Sequence, residues 1–177
     1  TEPDPDRYEH MHAHCDVLVV GAGPAGLMAA LAAGRSGARV ILADEQSEPG
    51  GALLAEPLDH PGAVWLRSVT AEFDACPELR VLTRTTAFGY YDHNYLCLLE
   101  RVRDHLPPGS APHLPRQRLW KVRARQVVLA TGAIERPLVF ADNDRPGIML
   151  ASAARAYVNR YAVRPGRRAI MFTNNDG

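Results

Sequence analysis

The chain has 177 residues, 46% of them apolar and 23% charged, and its 20 basic side chains balance 20 acidic ones. That composition fits one ordinary globular domain. Zero net charge, and no apolar run near the ~20 residues of a membrane helix, argue against nucleic acid and bilayer as partners.

Residues 1–5 are rich in Pro and Asp, and residues 1–14 as a whole read as a flexible lead-in. They lack the apolar core of a secretory leader. His10, His12 and His14 alternate, which would place them on one face of a strand. No carboxylate or cysteine cluster completes a site, so no metal is expected. Cys15, Cys76 and Cys97 are odd in number and form no C-x-x-C pair, which points to free thiols in a reducing cytoplasm.

Residues 16–20 read as a buried parallel strand, short, continuous and β-branched. The turn GAGPAG follows at 21–26. An Ala- and Leu-rich helix is predicted over 27–35 and stops at Ser36-Gly37. Residues 39–43, RVILA, form a second apolar strand with Asp44 and Glu45 at its end. Together these make one βαβ unit. After a polar loop ending in Gly50-Gly51, residues 64–74 show helical spacing. Strand composition returns at 80–86, and residues 87–91 and 95–102 read as an antiparallel meander. The Pro-rich stretch 106–115 is a loop. Residues 119–122 begin a further strand, and 127–129 read as another short buried one. Residues 148–161 are helical, and 169–173, AIMFT, read as a last apolar strand.

The glycine turn has the surroundings of a dinucleotide fingerprint: a strand before it, a helix after it, an acid ending the second strand. Gly21 permits the tight turn, Gly23 lets a pyrophosphate approach the backbone, and Gly26 lets the helix pack on the strand. Pro24 fits the first helical turn, where its missing N–H costs little. The helix aims free N–H groups and its positive dipole end at the phosphates. Asp44, with Glu45 as the alternative, is placed to accept hydrogen bonds from a ribose, and a carboxylate there disfavours NADP. FAD and NAD share the ADP half, so the turn alone leaves both open. No catalytic constellation is readable, as expected where a cofactor carries the chemistry.

VVLATGAIERP (127–137), and the Gly50-Gly51 pair after the acid, resemble the two-dinucleotide-binding-domain flavoproteins. Where disulfide reductases of that superfamily carry a redox cysteine pair after the doublet, this chain has ALLAEP, which excludes dithiol chemistry. RYEHMHAHCDVLVVGAGPAGLMAAL, RVILADEQSEPGG and RPGIMLASAARAYVNRYAVRPGRRAIMFTNND extend the match. These three stretches resemble the α subunits of heterotetrameric sarcosine oxidases.

The resemblance implies an α/β fold: a Rossmann-like three-layer dinucleotide-binding domain, with a parallel sheet plus an antiparallel β-meander, here incomplete. It implies residues 15–165 as the first part of a discontinuous domain and 166–177 as the first strand of a truncated second one. The implied enzyme demethylates sarcosine oxidatively to glycine, yielding hydrogen peroxide and methylene-tetrahydrofolate or formaldehyde. The implied partners are β, γ and δ subunits. FAD and FMN would be supplied through β, with tetrahydrofolate bound in a part beyond this segment. The α subunit itself would hold NAD, with FAD as the alternative if the chain belongs to a related amine or amino-acid dehydrogenase. A purely structural nucleotide serving assembly is a third reading. Carried over residue by residue, the cofactor contacts are Gly21, Ala22, Gly23, Pro24, Ala25 and Gly26; Asp44, Glu45 and Gln46; Gly51; and Thr131, Gly132, Ala133 and Arg136. Ser47 and Leu53 would line the far end. By itself this segment is expected to be inactive.

Overall fold

The computed structural model describes residues 6–107 and 109–174. The proposed lead-in over 1–5 and the last three residues therefore lie outside the described ones. Six strands form one mixed sheet in the order β3-β2-β1-β6-β5-β4. The strands are β1 (Tyr8–Val20), β2 (Val40–Ala43), β3 (Leu79–Leu82), β4 (Thr85–Tyr91), β5 (Tyr95–Arg101) and β6 (Gln117–Leu129). The helices are α1 (Pro24–Arg35), α2 (Pro61–Glu72) and α3 (Ala151–Asn159). Strands β3, β2, β1 and β6 run parallel, whereas β4, β5 and β6 form an antiparallel meander. The expected α/β architecture is therefore present.

The chain divides into two compact units. The first takes the chain up to Gly51 and then Leu66–Gly132; the second takes Ala52–Trp65 and everything from Ala133 onward. This division differs from a single span over 15–165. Every described residue from 133 on is exposed or half-buried.

In the first unit all four residues of β2 are buried, as a central parallel strand with two covered faces requires. Helix α1 buries Gly26, Leu27, Ala30 and Leu31, one stripe at helical spacing, and packs on β1, β2 and β6. Ser36 and Gly37 end it, with Gly37 at φ 80°. On the other face, Leu18, Ile41, Ala43 and Leu82 from the parallel strands meet Leu96, Leu98, Trp120 and Val122 from the meander. The layers are therefore helix, parallel sheet and meander. Each large side chain buried in that core contributes roughly 1.5–3 kcal/mol.

Three sequence expectations are corrected. Residues 8–14 are not a flexible lead-in: they are the first half of β1, paired residue by residue with β6 from Tyr8↔Gln117 to His14↔Arg123. Their alternation is that of a strand, with Glu9, Met11 and Ala13 half-buried and the histidines outward. Second, residues 119–122 and 127–129 belong to one thirteen-residue strand, β6, and Leu129 is 61% exposed rather than buried. The strand is long because β1, its ladder partner, is equally long. Third, residues 169–173 form no strand, and Ile170, Met171 and Phe172 are exposed. Among the described residues of the second unit there is no strand with which they could form a ladder.

The second unit is ordered locally. The Glu135 carboxylate accepts the N–H groups of Ala151 and Ser152 at the start of α3, at 3.3 and 2.9 Å. Arg155 pairs with Glu56 at 2.6 Å, and the Asn159 amide donates to the Ala55 carbonyl at 2.8 Å.

Candidate functional site

The site is built where β1 stops. Val20 ends the strand, the Gly21 N–H donates to the Ala43 carbonyl at 2.8 Å, and Gly21 turns with φ 101°. A Cβ there would lie 2.3 Å from the Ala130 carbonyl oxygen. The ATG segment thus packs directly on the turn, pinned by the Ala130 N–H to the Val20 carbonyl at 2.8 Å. Gly26 is excluded from any larger residue, since its Cβ would come 1.8 Å from the Gly21 oxygen. Two of the three fingerprint glycines are therefore explained by the protein's own packing.

Gly23 is different. It is the N-cap residue of α1 at φ −72°, a value that any residue adopts, and a Cβ there would meet nothing within 4 Å. Neither backbone strain nor internal packing calls for glycine, so a space is left open in front of the helix. No side chain caps α1 and its first turn carries no acid. Its first N–H groups therefore face that space without a side-chain acceptor, next to the positive end of the helix dipole. Pro24 and Ala25 are exposed there, and Ala22 is fully buried.

The doublet after β2 closes on the same turn. The Gly50 N–H donates to the Ala22 carbonyl at 2.8 Å, and a Cβ on Gly51 would come 2.9 Å from the Gly23 Cα. Gly51 sits at φ 54°. The sequence marked the doublet by resemblance; the structure supplies its steric cause.

Asp44 is half-buried and bonded on both oxygens. Oδ2 accepts the Ala22 N–H at 2.5 Å and Oδ1 the Gln46 N–H at 2.8 Å. The main chain around it is fixed by the start of β4: Thr85 N–H donates to the Asp44 carbonyl and Arg84 N–H to the Gln46 carbonyl, each at 2.7 Å. Glu45, Gln46 and Ser47 are exposed beyond it. A carboxylate offers about four lone-pair sites. Two backbone donors therefore aim Asp44 without exhausting it.

The structure thus brings together, in the first unit, Gly21 to Gly26, Asp44 to Gln46, Gly51, Thr131 and Gly132. Ala133 and Arg136 belong to the second unit and are exposed; so does Leu53, which is half-buried. Sequence reasoning missed Arg101, whose Nη2 donates to the Glu45 carbonyl at 2.9 Å. No motif marks it; only the strand pairing places it there. His10, His12 and His14 lie exposed along β1, and the described residues contain no group of three or more His, Cys, Asp or Glu that could hold a metal. All three cysteines are free thiols, with Cys15 and Cys76 buried. No helix among the described residues is long and apolar enough to cross a membrane.

The family model described as FAD dependent oxidoreductase matches residues 16–88, from the first strand of the βαβ unit into β4. The chain is 56% identical to the sarcosine oxidase subunit alpha of Rhizobium meliloti (strain 1021), over 99% of this chain and 18% of that protein. It is 52% identical to the same subunit of Corynebacterium sp. (strain P-1), over 98% of this chain and 18% of that protein. The chain is a homologue of sarcosine oxidase α subunits. It spans about a fifth of their length.

Among solved structures, the L-proline dehydrogenase of P. horikoshii is similar at 26% identity and a TM-score of 0.72, over 90% of this chain and 31% of that one. The expected NAD finds no support in these likenesses. The matching family is FAD-dependent, so the alternative, FAD, fits the chain better.

Proposed function

We propose that this chain holds the ADP half of FAD, as the nucleotide-binding part of an oxidoreductase subunit. Gly23 carries the proposal: a glycine that neither φ nor packing demands, facing an uncapped helix start, leaves room that a pyrophosphate fills. Gly21 to Gly26 would cradle the phosphates, with Pro24 and Ala25 in the first turn of α1. Asp44, held by the Ala22 and Gln46 N–H groups, would accept the ribose hydroxyls, with Glu45 and Gln46 beside it. Gly51, Thr131 and Gly132 would close the pocket behind the turn, and Ala133 and Arg136 are proposed as further contacts. A bound flavin supplies the redox chemistry; the chain's own residues bind and orient it.

For the whole protein we propose oxidative demethylation of sarcosine to glycine within an assembly that includes β, γ and δ subunits. The identity of 56% to a sarcosine oxidase subunit alpha, over 18% of that protein, supports the reaction, and the word subunit in its name supports an assembly.

The test is to denature the purified chain and identify any released nucleotide by mass spectrometry. FAD is the expected result. NAD would overturn the flavin assignment while leaving the ADP-binding turn in place. An empty chain that also fails to bind ADP-ribose by calorimetry would overturn the nucleotide site itself.

A further inference from the structure

A cavity of about 490 Å3 opens beside the end of β2, and the dinucleotide contacts leave most of its wall unused. Arg84, Arg101 and His105 line it, together with Asp104 and the chain at 45–47. A second cavity, of about 320 Å3, shares Arg84, Arg101 and His105.

Arg84 immediately precedes β4 and Arg101 is the last residue of β5, so their main chains are neighbours. Thr85 faces Glu100 in the β4–β5 register, and one step further the Arg101 N–H donates to the Arg84 carbonyl at 3.0 Å. Like charges placed directly opposite across an antiparallel pair are destabilising. Arg84 also sits at φ 51°, in the left-handed region that long side chains rarely adopt. Among the described residues neither guanidinium is in a salt bridge. Arg101 spends one N–H on a neutral acceptor, the Glu45 main-chain carbonyl.

Two carboxylates share the cavity wall. Asp104 lies in the field of Arg101, but its hydrogen bonds go elsewhere: Oδ1 accepts Arg116 Nε at 2.6 Å and Oδ2 accepts Gln117 Nε2 at 3.1 Å. Glu45 is exposed. Glu100, on the wall of the second cavity, accepts Trp120 Nε1 at 2.7 Å and pairs with Arg118 at 3.7 Å. Of the three carboxylates around the two guanidinium groups and the imidazole, Asp104 and Glu100 are thus engaged elsewhere, and Glu45 is the uncommitted one. Opposed like charges, one on a strained backbone, persist at little cost where an anion offsets them.

We propose that Arg84, Arg101 and His105 form a binding site for a phosphoryl anion beside the ribose end of β2. The planar fork of arginine matches the oxygens of a phosphate two at a time, and two such forks from neighbouring main chains can hold one group. Free phosphate ion and a phosphate carried on an adenosine ribose present the same chemistry here.

The test is calorimetric titration of the full chain at constant ionic strength with three probes: sodium phosphate, ADP-ribose and 2′-phospho-ADP-ribose. Phosphate is expected to bind, and Arg84→Asn to weaken that binding roughly tenfold. Asparagine tolerates the left-handed backbone, so this variant should keep or raise the melting temperature. Arg101→Lys keeps the charge, loses the fork and should also weaken binding. A preference for the 2′-phosphorylated probe that disappears in Arg84→Asn supports the site and assigns it to the nucleotide. Equal affinity for both nucleotides, with phosphate bound separately, supports the site and assigns it to the free ion. Failure of phosphate to bind, or binding unchanged in both variants, overturns it. Loss of ADP-ribose binding with phosphate binding intact would instead count against the dinucleotide assignment alone.

Discussion

The Asp44 carboxylate and the Ala22 N–H meet at 2.5 Å, across a sequence separation of 22 residues. Ala22 is the residue between the first two glycines of the turn, so the end of β2 fixes the peptide that a pyrophosphate would face. The second carboxylate oxygen takes the Gln46 N–H at 2.8 Å. Asp44→Asn keeps the shape but replaces one acceptor with an NH2 donor, setting it against a backbone donor. The expected loss is about 1–3 kcal/mol of folding stability, the range for leaving a buried polar group unsatisfied. Urea denaturation measures it, and ADP-ribose titration should show weakened binding in the same variant. Unchanged stability would mean that Asp44 faces only the ligand.

Gly23 and Gly26 separate binding from folding. A methyl group at Gly23 meets no protein atom within 4 Å, whereas at Gly26 it would sit 1.8 Å from the Gly21 oxygen. Gly23→Ala should therefore keep its melting temperature within a few degrees and lose dinucleotide affinity by an order of magnitude or more, because the methyl occupies the space for the phosphates. Gly26→Ala should destabilise the fold by more than ~2 kcal/mol through overpacking. If Gly23→Ala binds ADP-ribose as the parent does, the pyrophosphate does not lie there.

These two glycines also mark how far the sequence can be read. The βαβ unit was legible because its cues are local: VLVV, the glycine turn, the Ala-rich helix and VILA each declare themselves within a few residues. The acid at 44 was legible as an acid, but not its bond to Ala22, which depends on how β1 and β2 end side by side. The meander was only half legible. The pattern EHMHAH alternates as a strand does, yet its histidines and its place at the chain start made it resemble an exposed lead-in. Only the pairing of Tyr8–Cys15 with β6 reveals it as sheet. The opposite error occurred at AIMFT. Its composition is that of a strand, but a strand is a relation between two segments, and the described residues of the second unit offer no partner. The arginines at 84 and 101 carry no local signal, since they become neighbours only through the β4–β5 register.

The cysteines should react in a fixed order. Cys97 is half-buried on β5, whereas Cys15 and Cys76 are buried. Burial first, and then the neighbouring Asp16 carboxylate, push the Cys15 thiol up to about 11. The thiolate is the reactive form. Iodoacetamide at pH 8 should label Cys97 first, with Cys15 protected until denaturant is added, as read by peptide mass spectrometry. The linkage has a sign. A thiol whose folded pKa is raised keeps its proton in the fold after the unfolded chain has lost it. Stability should therefore fall as pH rises from about 8.5, the ordinary thiol value, toward 11. Early labelling of Cys15 in the folded chain would contradict its burial.

Glu135 offers a pH-dependent test confined to the second unit. Its carboxylate caps α3 through the N–H groups of Ala151 and Ser152, and those bonds, the Ser152 contacts first, lower its pKa below the usual carboxylate range. A group with a depressed folded pKa contributes fully above its unfolded value of about 4.3 and loses that contribution as pH falls through the folded one. The first turn of α3 should thus be protected from hydrogen exchange at pH 6 and progressively less so below about pH 4. Glu135→Ala should remove the protection at pH 6, since it deletes both acceptors and the negative charge at the helix start. Equal exchange at Ala151 and Ser152 in the parent and the variant at pH 6 would show that the cap does not form.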